Sequence, residues 1–185
     1  MDNGAGSYRR FLDGDDNGIA EIVGEYKDGL ILFLCSFVNN IFIAEELAED
    51  TFFRLLVKKP RFSGKSSFRS WLYSIGRHAA VDYVRRSARL ADTPVEDMEA
   101  YLREEADLER AYIRQEHKIQ VHKALEKLAP DYRQILWLVY FEKLSHEEAS
   151  LVMKKSSRQI RNLLYRAKQA LKSELEKEGF VYDEL

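Results

Sequence analysis

The sequence predicts an all-α protein, made of two small helical domains joined by an acidic linker, with the second domain a helix-turn-helix. Three observations predict it. Helix breakers and β-branched runs are scarce, with 3 Pro and 9 Gly in 185 residues. Apolar residues recur at helical spacing in two stretches that a polar segment separates. Charge is segregated along the chain, although 29 Lys and Arg nearly cancel 31 Asp and Glu to a net charge of −2. At 45% hydrophobic and 32% charged residues the chain lies outside disordered compositions, and its length suits one ordinary domain or two small ones.

The segment from Met1 to Asp16 is acidic and Gly-rich, not a basic stretch followed by an apolar one, so no signal peptide is expected. From Ile19 the apolar residues Ile19, Ile22, Val23 and Tyr26 keep helical spacing, and Gly29 introduces Leu30 to Leu34, Phe37 and Val38, which reads as a buried helical pair. Asn39 and Asn40 supply a turn and an N-cap. Leu47, Ala48, Thr51, Phe52 and Leu55 then mark an amphipathic helix that stops before Pro60, with Glu45, Glu46, Glu49 and Asp50 on its outer face. The stretch from Arg61 to Ser67, with Ser63-Gly64 and two further serines, is loop chemistry. A long helix follows from about Ser67 to Leu90. At about 100° per residue, Phe68, Leu72, Ile75, Ala79 and Tyr83 share one stripe and Arg69, Tyr73 and Arg77 point elsewhere, while Trp71, His78, Asp82 and Arg85 border the stripe.

After the polar segment, helical spacing resumes near Asp107 and runs through Ile119, Val121, Leu125 and Leu128 to end before Pro130. Pro130 suits the first turn of the next helix, which is apolar nearly all round (Ile135, Leu136, Leu138, Val139, Phe141) and so belongs at the centre of a second small core. Ser145 with Glu148 forms a capping box that starts a short helix reaching Met153. A polar turn, Lys154-Lys155-Ser156, leads into a long helix from Ser157 to Gly179, where Gly is a natural stop. Short helix, tight turn and long basic helix follow one another in the order of a helix-turn-helix.

Charge gives the first functional indication. Between Arg61 and Arg89 there are seven basic residues against one acid, Asp82; between Lys154 and Lys172 there are seven and no acid. Between these segments, Ala91 to Glu116 carries nine acids against three Arg and reads as a polar connector. Two basic segments flanking an acidic one favour a polyanion held at two places. On the last helix, Ile160, Leu164, Ala167 and Leu171 lie close to one line, and Arg158, Gln159, Asn162, Arg166 and Gln169 lie opposite, with Arg161, Tyr165, Lys168 and Lys172 beside them. Arg, Gln and Asn are the side chains whose planar forks match guanine and adenine edges in the major groove.

Other classes of function are disfavoured. One cysteine, Cys35, excludes an intramolecular disulfide and a multi-cysteine zinc site, fits a reducing cytoplasm, and in an apolar helix reads as a packed thiol. The four His residues (His78, His117, His122, His146) show no metal-ligand spacing, and His146-Glu147-Glu148 is no zincin motif because Ser150 stands where the second His is needed. No Gly-rich phosphate loop precedes a helix, so neither an enzyme nor a cofactor is expected. The apolar run Leu30 to Cys35 is too short to span a bilayer.

Taken together, the segments resemble the extracytoplasmic-function (group IV) sigma factors, the minimal two-domain initiation subunits of bacterial RNA polymerase. Ala44 to Phe52 is similar to that family's acidic core-binding helix, and Phe68 to His78 with Asp82 to Arg86 is similar to its promoter-opening helix. Leu128-Ala129-Pro130 with Tyr132-Arg133, then Leu144 to Ser150, then Leu164 to Lys168 resemble its helix-turn-helix domain. Two positions depart from the pattern: His78 stands where the family usually has Asn, and Lys154-Lys155 where it has Gly followed by an apolar residue.

The resemblance implies a sigma region 2-like domain over 1–90, an acidic linker over 91–106 and a region 4-like domain over 107–185. It implies core RNA polymerase bound through Glu45, Glu46, Glu49, Asp50 and Phe52. It implies a promoter-melting element of Ser63, Gly64, Lys65, Ser66 and Ser67, where a flipped base is captured, with Arg69, Trp71, Tyr73, Arg77, His78, Arg85 and Arg86 around it. Arg158, Gln159, Arg161, Asn162, Tyr165 and Arg166 would read the upstream promoter element, with Lys155, Lys168 and Lys172 at phosphates. An anti-sigma factor is a further implied partner, in the cytoplasm and without membrane insertion. Two rival readings stand beside it: a helix-turn-helix regulator that works without polymerase, which leaves the 61–89 pattern unexplained, and a helical adaptor whose basic faces bind acidic proteins.

Overall fold

The computed structural model describes residues 3–90, 121 and 123–177. Four helices make the first unit: α1 (Asn3–Leu12), α2 (Asn17–Val38), α3 (Ile41–Lys58) and α4 (Phe68–Leu90). The second unit holds a helical stretch at 123–126, then α5 (Pro130–Leu136), which runs into one π-helical turn (Trp137–Phe141), then α6 (His146–Met153) and α7 (Ser157–Lys177). All regular structure among the described residues is helical. The acidic segment 91–106, most of the helix expected from Asp107, and Gly179 lie outside the described residues.

The caps follow the sequence. Asn39 closes α2 in the left-handed conformation, and the Asn40 side chain accepts from the Ile43 N–H at 2.8 Å to open α3. Ser145 and Glu148 form a reciprocal capping box at α6, with bonds of 3.2 and 2.9 Å. Lys154 ends α6 at φ +53°, a conformation in which a Cβ is costly, so the turn keeps the geometry that glycine favours although lysine occupies it.

Three expectations need correction. Ile19 to Val38 lies within one continuous helix and not a pair, because Gly29 serves as a site of close approach and does not break α2. A Cβ there would come within 2.5 Å of the Glu142 carboxylate and 2.7 Å of the Tyr73 hydroxyl. The Gly-rich start, expected only to lack a signal peptide, forms α1. Tertiary packing overrides its weak helix propensity: Tyr8 and Phe11 are buried, Tyr8 stacks near Phe68 and Trp71, and its hydroxyl donates to the Pro60 carbonyl at 2.8 Å.

The third correction concerns α4, whose burial extends beyond one stripe. Phe68, Leu72 and Ala79 face the core as expected, but Tyr73 and Ala80 are also fully buried. Both units contribute: the Tyr73 ring lies 5.2 Å from that of Phe33 of α2, while α6 packs along α4, and α5 with the π turn packs on α2. Buried side chains of both units therefore form one connected apolar cluster.

Candidate protein-docking and nucleic-acid surfaces

The outer side of α3 carries the first surface. Glu46, Glu49 and Asp50 are exposed and Glu45 is half-buried. Phe52, expected to face a partner, is only 8% exposed; it turns toward the core and floors a groove between α2 and α3. The exposed aromatic is its neighbour Phe53, at 60%, with Leu56 at 45%. The groove has a volume of about 830 Å³ and is lined mainly by Ile19, Val23, Ala48, Phe52, Phe53 and Leu56, with Glu49, Asp50 and Lys27 at its edge. An apolar groove with an acidic rim is suited to another protein: the apolar floor supplies affinity and the rim selects a basic complement. Periodicity already points this way: Phe52 shares the stripe of Leu47, Ala48, Thr51 and Leu55, and Phe53, one residue on, falls about 100° away from it.

The second surface is the loop 61–67 and α4. Ser63, Gly64 and Lys65 are exposed, with Gly64 at φ +71°, and Ser66 and Ser67 are half-buried. Ser67 caps α4, its hydroxyl accepting from the Ser70 N–H at 3.3 Å. Trp71 is half-buried within an aromatic cluster, 5.4 Å from Tyr8, 5.2 Å from Phe62 and 5.4 Å from Phe68 between ring centroids. Arg85, Arg86 and His78 are exposed, and Arg86 Nε donates to the Asp82 carbonyl at 3.3 Å. Arg77 lies over the Phe37 ring. Partial burial, with Lys154 and Arg77 nearby, holds the His78 imidazole below its ordinary pKa, which favours the neutral form.

Tyr73, expected beside Arg69 and Arg77 on an outward face, has no exposed surface here. Burial, with the Glu142 charge close by, pushes its hydroxyl pKa well up. Arg69 is likewise turned into the molecule. Its Nη1 donates to the Glu142 carbonyl at 3.0 Å and lies 3.7 Å from the Glu142 carboxylate, while Nη2 is 3.6 Å from Glu25.

The third surface is α7. Ile160, Leu164 and Ala167 are buried, whereas Arg158, Gln159, Arg161, Asn162, Tyr165 and Arg166 are all exposed, Tyr165 at 66%. Gln159 is partly engaged: its side-chain oxygen accepts from the Ser156 N–H at 2.8 Å and its own N–H donates to the Ser156 hydroxyl at 3.3 Å. That is a second capping box, and it uses the Gln159 side-chain oxygen. Among the expected phosphate contacts, Lys155 pairs with Asp131 at 3.0 Å, Lys168 lies over the Tyr140 ring and Lys172 is 3.7 Å from Glu176. Such exposed pairs contribute little and exchange readily for a phosphate.

Among the described residues no cluster of His, Cys, Asp and Glu could hold a metal ion, and no helix is long and apolar enough to cross a membrane.

Comparison with known proteins matches both units. Residues 22–90 fit the model described as Sigma-70 region 2 and residues 118–171 the one described as Sigma-70, region 4. The chain is 30% identical over 171 residues to the RNA polymerase sigma-H factor of Pseudomonas aeruginosa, covering 88% of this chain and 89% of that one. It is 30% identical over 159 residues to the ECF RNA polymerase sigma factor SigM of Bacillus subtilis, covering 84% and 93%. Among solved structures, the sigma factor RpoE in complex with the anti-sigma factor NepR from Bartonella quintana superposes with a TM-score of 0.66 at 20% identity, over 85% of this chain and 96% of that one.

Proposed function

Because the chain belongs to the extracytoplasmic-function group of the sigma-70 family and directs bacterial RNA polymerase to specific promoters for transcription initiation, we propose that its two units divide that task by surface chemistry. As a sigma factor it is not an enzyme; the polymerase supplies the bond-forming chemistry. The unit within 1–90 docks on core polymerase through the groove between α2 and α3, with Glu45, Glu46, Glu49 and Asp50 meeting basic groups of the partner. Its loop 63–67 and α4 hold the opened strand: Lys65, Arg77, Arg85 and Arg86 track phosphates, Trp71 and the exposed His78 offer aromatic edges, and Arg69 and Tyr73 join when the second unit moves away.

The unit within 107–185 is a helix-turn-helix, α6 and the turn at Lys154 presenting α7 to the major groove. The observation that carries this reading is the exposed face of α7, with Arg158, Arg161, Asn162 and Arg166 opposite a buried apolar stripe and no acid between Lys154 and Lys172. Gln159 contributes its amide nitrogen and Tyr165 a flat apolar face, while Lys155, Lys168 and Lys172 sit at phosphates. The 91–106 segment is an acidic connector between separately folding units. An anti-sigma factor, such as the one solved with the Bartonella quintana relative, is a proposed partner, and the cytoplasm the proposed location.

A pull-down with core polymerase tests the docking half. Glu46→Lys combined with Asp50→Lys should weaken binding, most strongly at low salt. Unchanged capture at low salt would remove the acidic face from the interface. Limited proteolysis tests the boundary: cleavage between Ala91 and Glu105 that leaves both halves intact is expected, and resistance there with cuts inside either half would contradict it.

A further inference from the structure

We propose that Glu142 is a latch that holds the chain closed, seated in a slot of the first unit so that the second unit covers part of the strand-opening face. This inference rests on the reading of α4 as that face.

Glu142 follows the π-helical turn of the second unit and is only 9% exposed. Its carboxylate accepts from the Trp137 indole N–H at 3.2 Å, within its own unit, and is thereby aimed at the other. The slot that receives it belongs entirely to the first unit. Gly29 gives it room, since any side chain there would strike the carboxylate; the buried Tyr73 hydroxyl lies beside it; and Arg69 binds both its carbonyl and its carboxylate. Arg69 is in turn held over the Tyr26 ring and near Glu25. Two further contacts bridge the units: Arg133 donates to the Asn39 side chain at 3.1 Å, and the Glu148 carboxylate accepts from Ser67.

The chemistry of the contact suits release. For a permanent interface, an apolar side chain of similar size would be as stable or more so, because a buried carboxylate loses hydration that one arginine repays incompletely. A carboxylate in this slot specifies one register while keeping separation affordable. Closure is also selective. It occupies Arg69, Tyr73 and Ser67, which are proposed to serve the opened strand, and leaves Arg158, Arg161 and Asn162 of α7 exposed. A closed chain can thus meet duplex DNA but cannot present its full strand-opening face; capture of an opened strand, which needs Arg69 and Ser67 free, draws the chain open.

Single-molecule energy transfer on the full chain tests this, with dyes at Asp13→Cys and Ser173→Cys, two exposed positions remote from the slot; the native Cys35 thiol is buried. Wild type should give one high-transfer population. Glu142→Ala, and independently Gly29→Ala, which improves the propensity of α2 while filling the slot, should shift the larger part of the molecules to low transfer with helical circular dichroism unchanged. In titrations against a single-stranded oligonucleotide both variants should bind about three- to tenfold more tightly, because the competent open form no longer has to be drawn from a minor population. Unchanged transfer in both variants would overturn the latch. Low transfer with unchanged single-strand affinity would overturn its masking role. Failure of every form to bind the single strand would instead refute the reading of α4 as the strand-opening face, while the transfer histograms would still decide whether the latch exists.

Discussion

The two units solve the same packing problem with opposite surfaces. The first packs an aromatic cluster in which Tyr8, Tyr26 and Phe68 are buried and Phe62 and Trp71 half-buried, and still exposes Phe53 and Leu56 beside acids. The second is smaller, with a core of Ile135, Leu138, Val152, Ile160 and Leu164, and presents a basic, acid-free helix. The contrast teaches that surface composition, more than fold class, records the kind of partner. Apolar groove and acidic rim suit a protein, whereas planar cationic and amide side chains suit nucleic acid.

The largest expected effect comes from breaking one core and watching the other. Phe68 is fully buried and within 5.8 Å, ring to ring, of Tyr8, Tyr26, Phe62 and Trp71. Phe68→Ala should cost about 3–5 kcal/mol in urea unfolding of the first unit. Promoter-duplex binding by the second unit should persist, and simultaneous loss of both would mean a single cooperative core.

A smaller effect sharpens the assignment of α7. Arg158→Ala or Asn162→Ala should cost about 1–3 kcal/mol on the preferred site and relax selection at one base pair. Lys172→Ala should weaken all sequences alike and lower the salt slope by about one. Titration of single-base promoter variants at two salt concentrations separates the two behaviours.

Lys154→Gly should stabilise the second unit by about 1 kcal/mol, read from its thermal or urea transition, because φ +53° costs lysine what it does not cost glycine. An unchanged transition would show that the turn relaxes around the lysine.

The subtlest prediction concerns pH. Burial raises the Glu142 pKa, although Tyr73, Arg69 and Trp137 all face the carboxylate and oppose the shift. The proton-linked part of its contribution to closure is therefore complete below the ordinary glutamate pKa and is lost as pH rises through the raised value, leaving the Arg69 and Trp137 contacts to hold the ionised carboxylate. Glu148 runs the other way: burial pushes it up, but hydrogen bonds from Ser67 and Ser145 prevail and hold it low, so its contribution fades on acidification. The difference between wild type and Glu142→Gln, followed by energy transfer across this range, isolates the first effect, and identical pH profiles would refute it.

How much of this was legible in the sequence follows from what each feature depends on. Caps at Asn40 and Ser145, the exposed acids of α3 and the two faces of α7 depend on local spacing, and the sequence carries that spacing directly. One-sided packing of α4 predicts an outward Tyr73, whereas Phe33 of α2 and the second unit together cover that side. The inward side of Phe52 is legible from its stripe with Leu47, Ala48, Thr51 and Leu55, and it is the family resemblance that sets Phe52 against a partner. Glu142 is a lone acid after an apolar run; nothing local marks it, because its slot is assembled from residues 29, 69 and 73. The helix α1 is a tertiary effect, stabilised by contacts that Gly-rich propensity does not show.

The division of labour between surfaces is tested most directly by run-off transcription with core polymerase on a library of promoter variants. Variants Glu46→Lys with Asp50→Lys should lower transcription from every promoter by a similar factor and leave the preferred sequence unchanged. Variants of Arg158, Arg161 and Asn162 should change which promoters are used while preserving the response to polymerase concentration. If the α3 variants altered promoter choice, or the α7 variants lowered all promoters uniformly, the assignment of polymerase to one surface and sequence reading to the other would be contradicted.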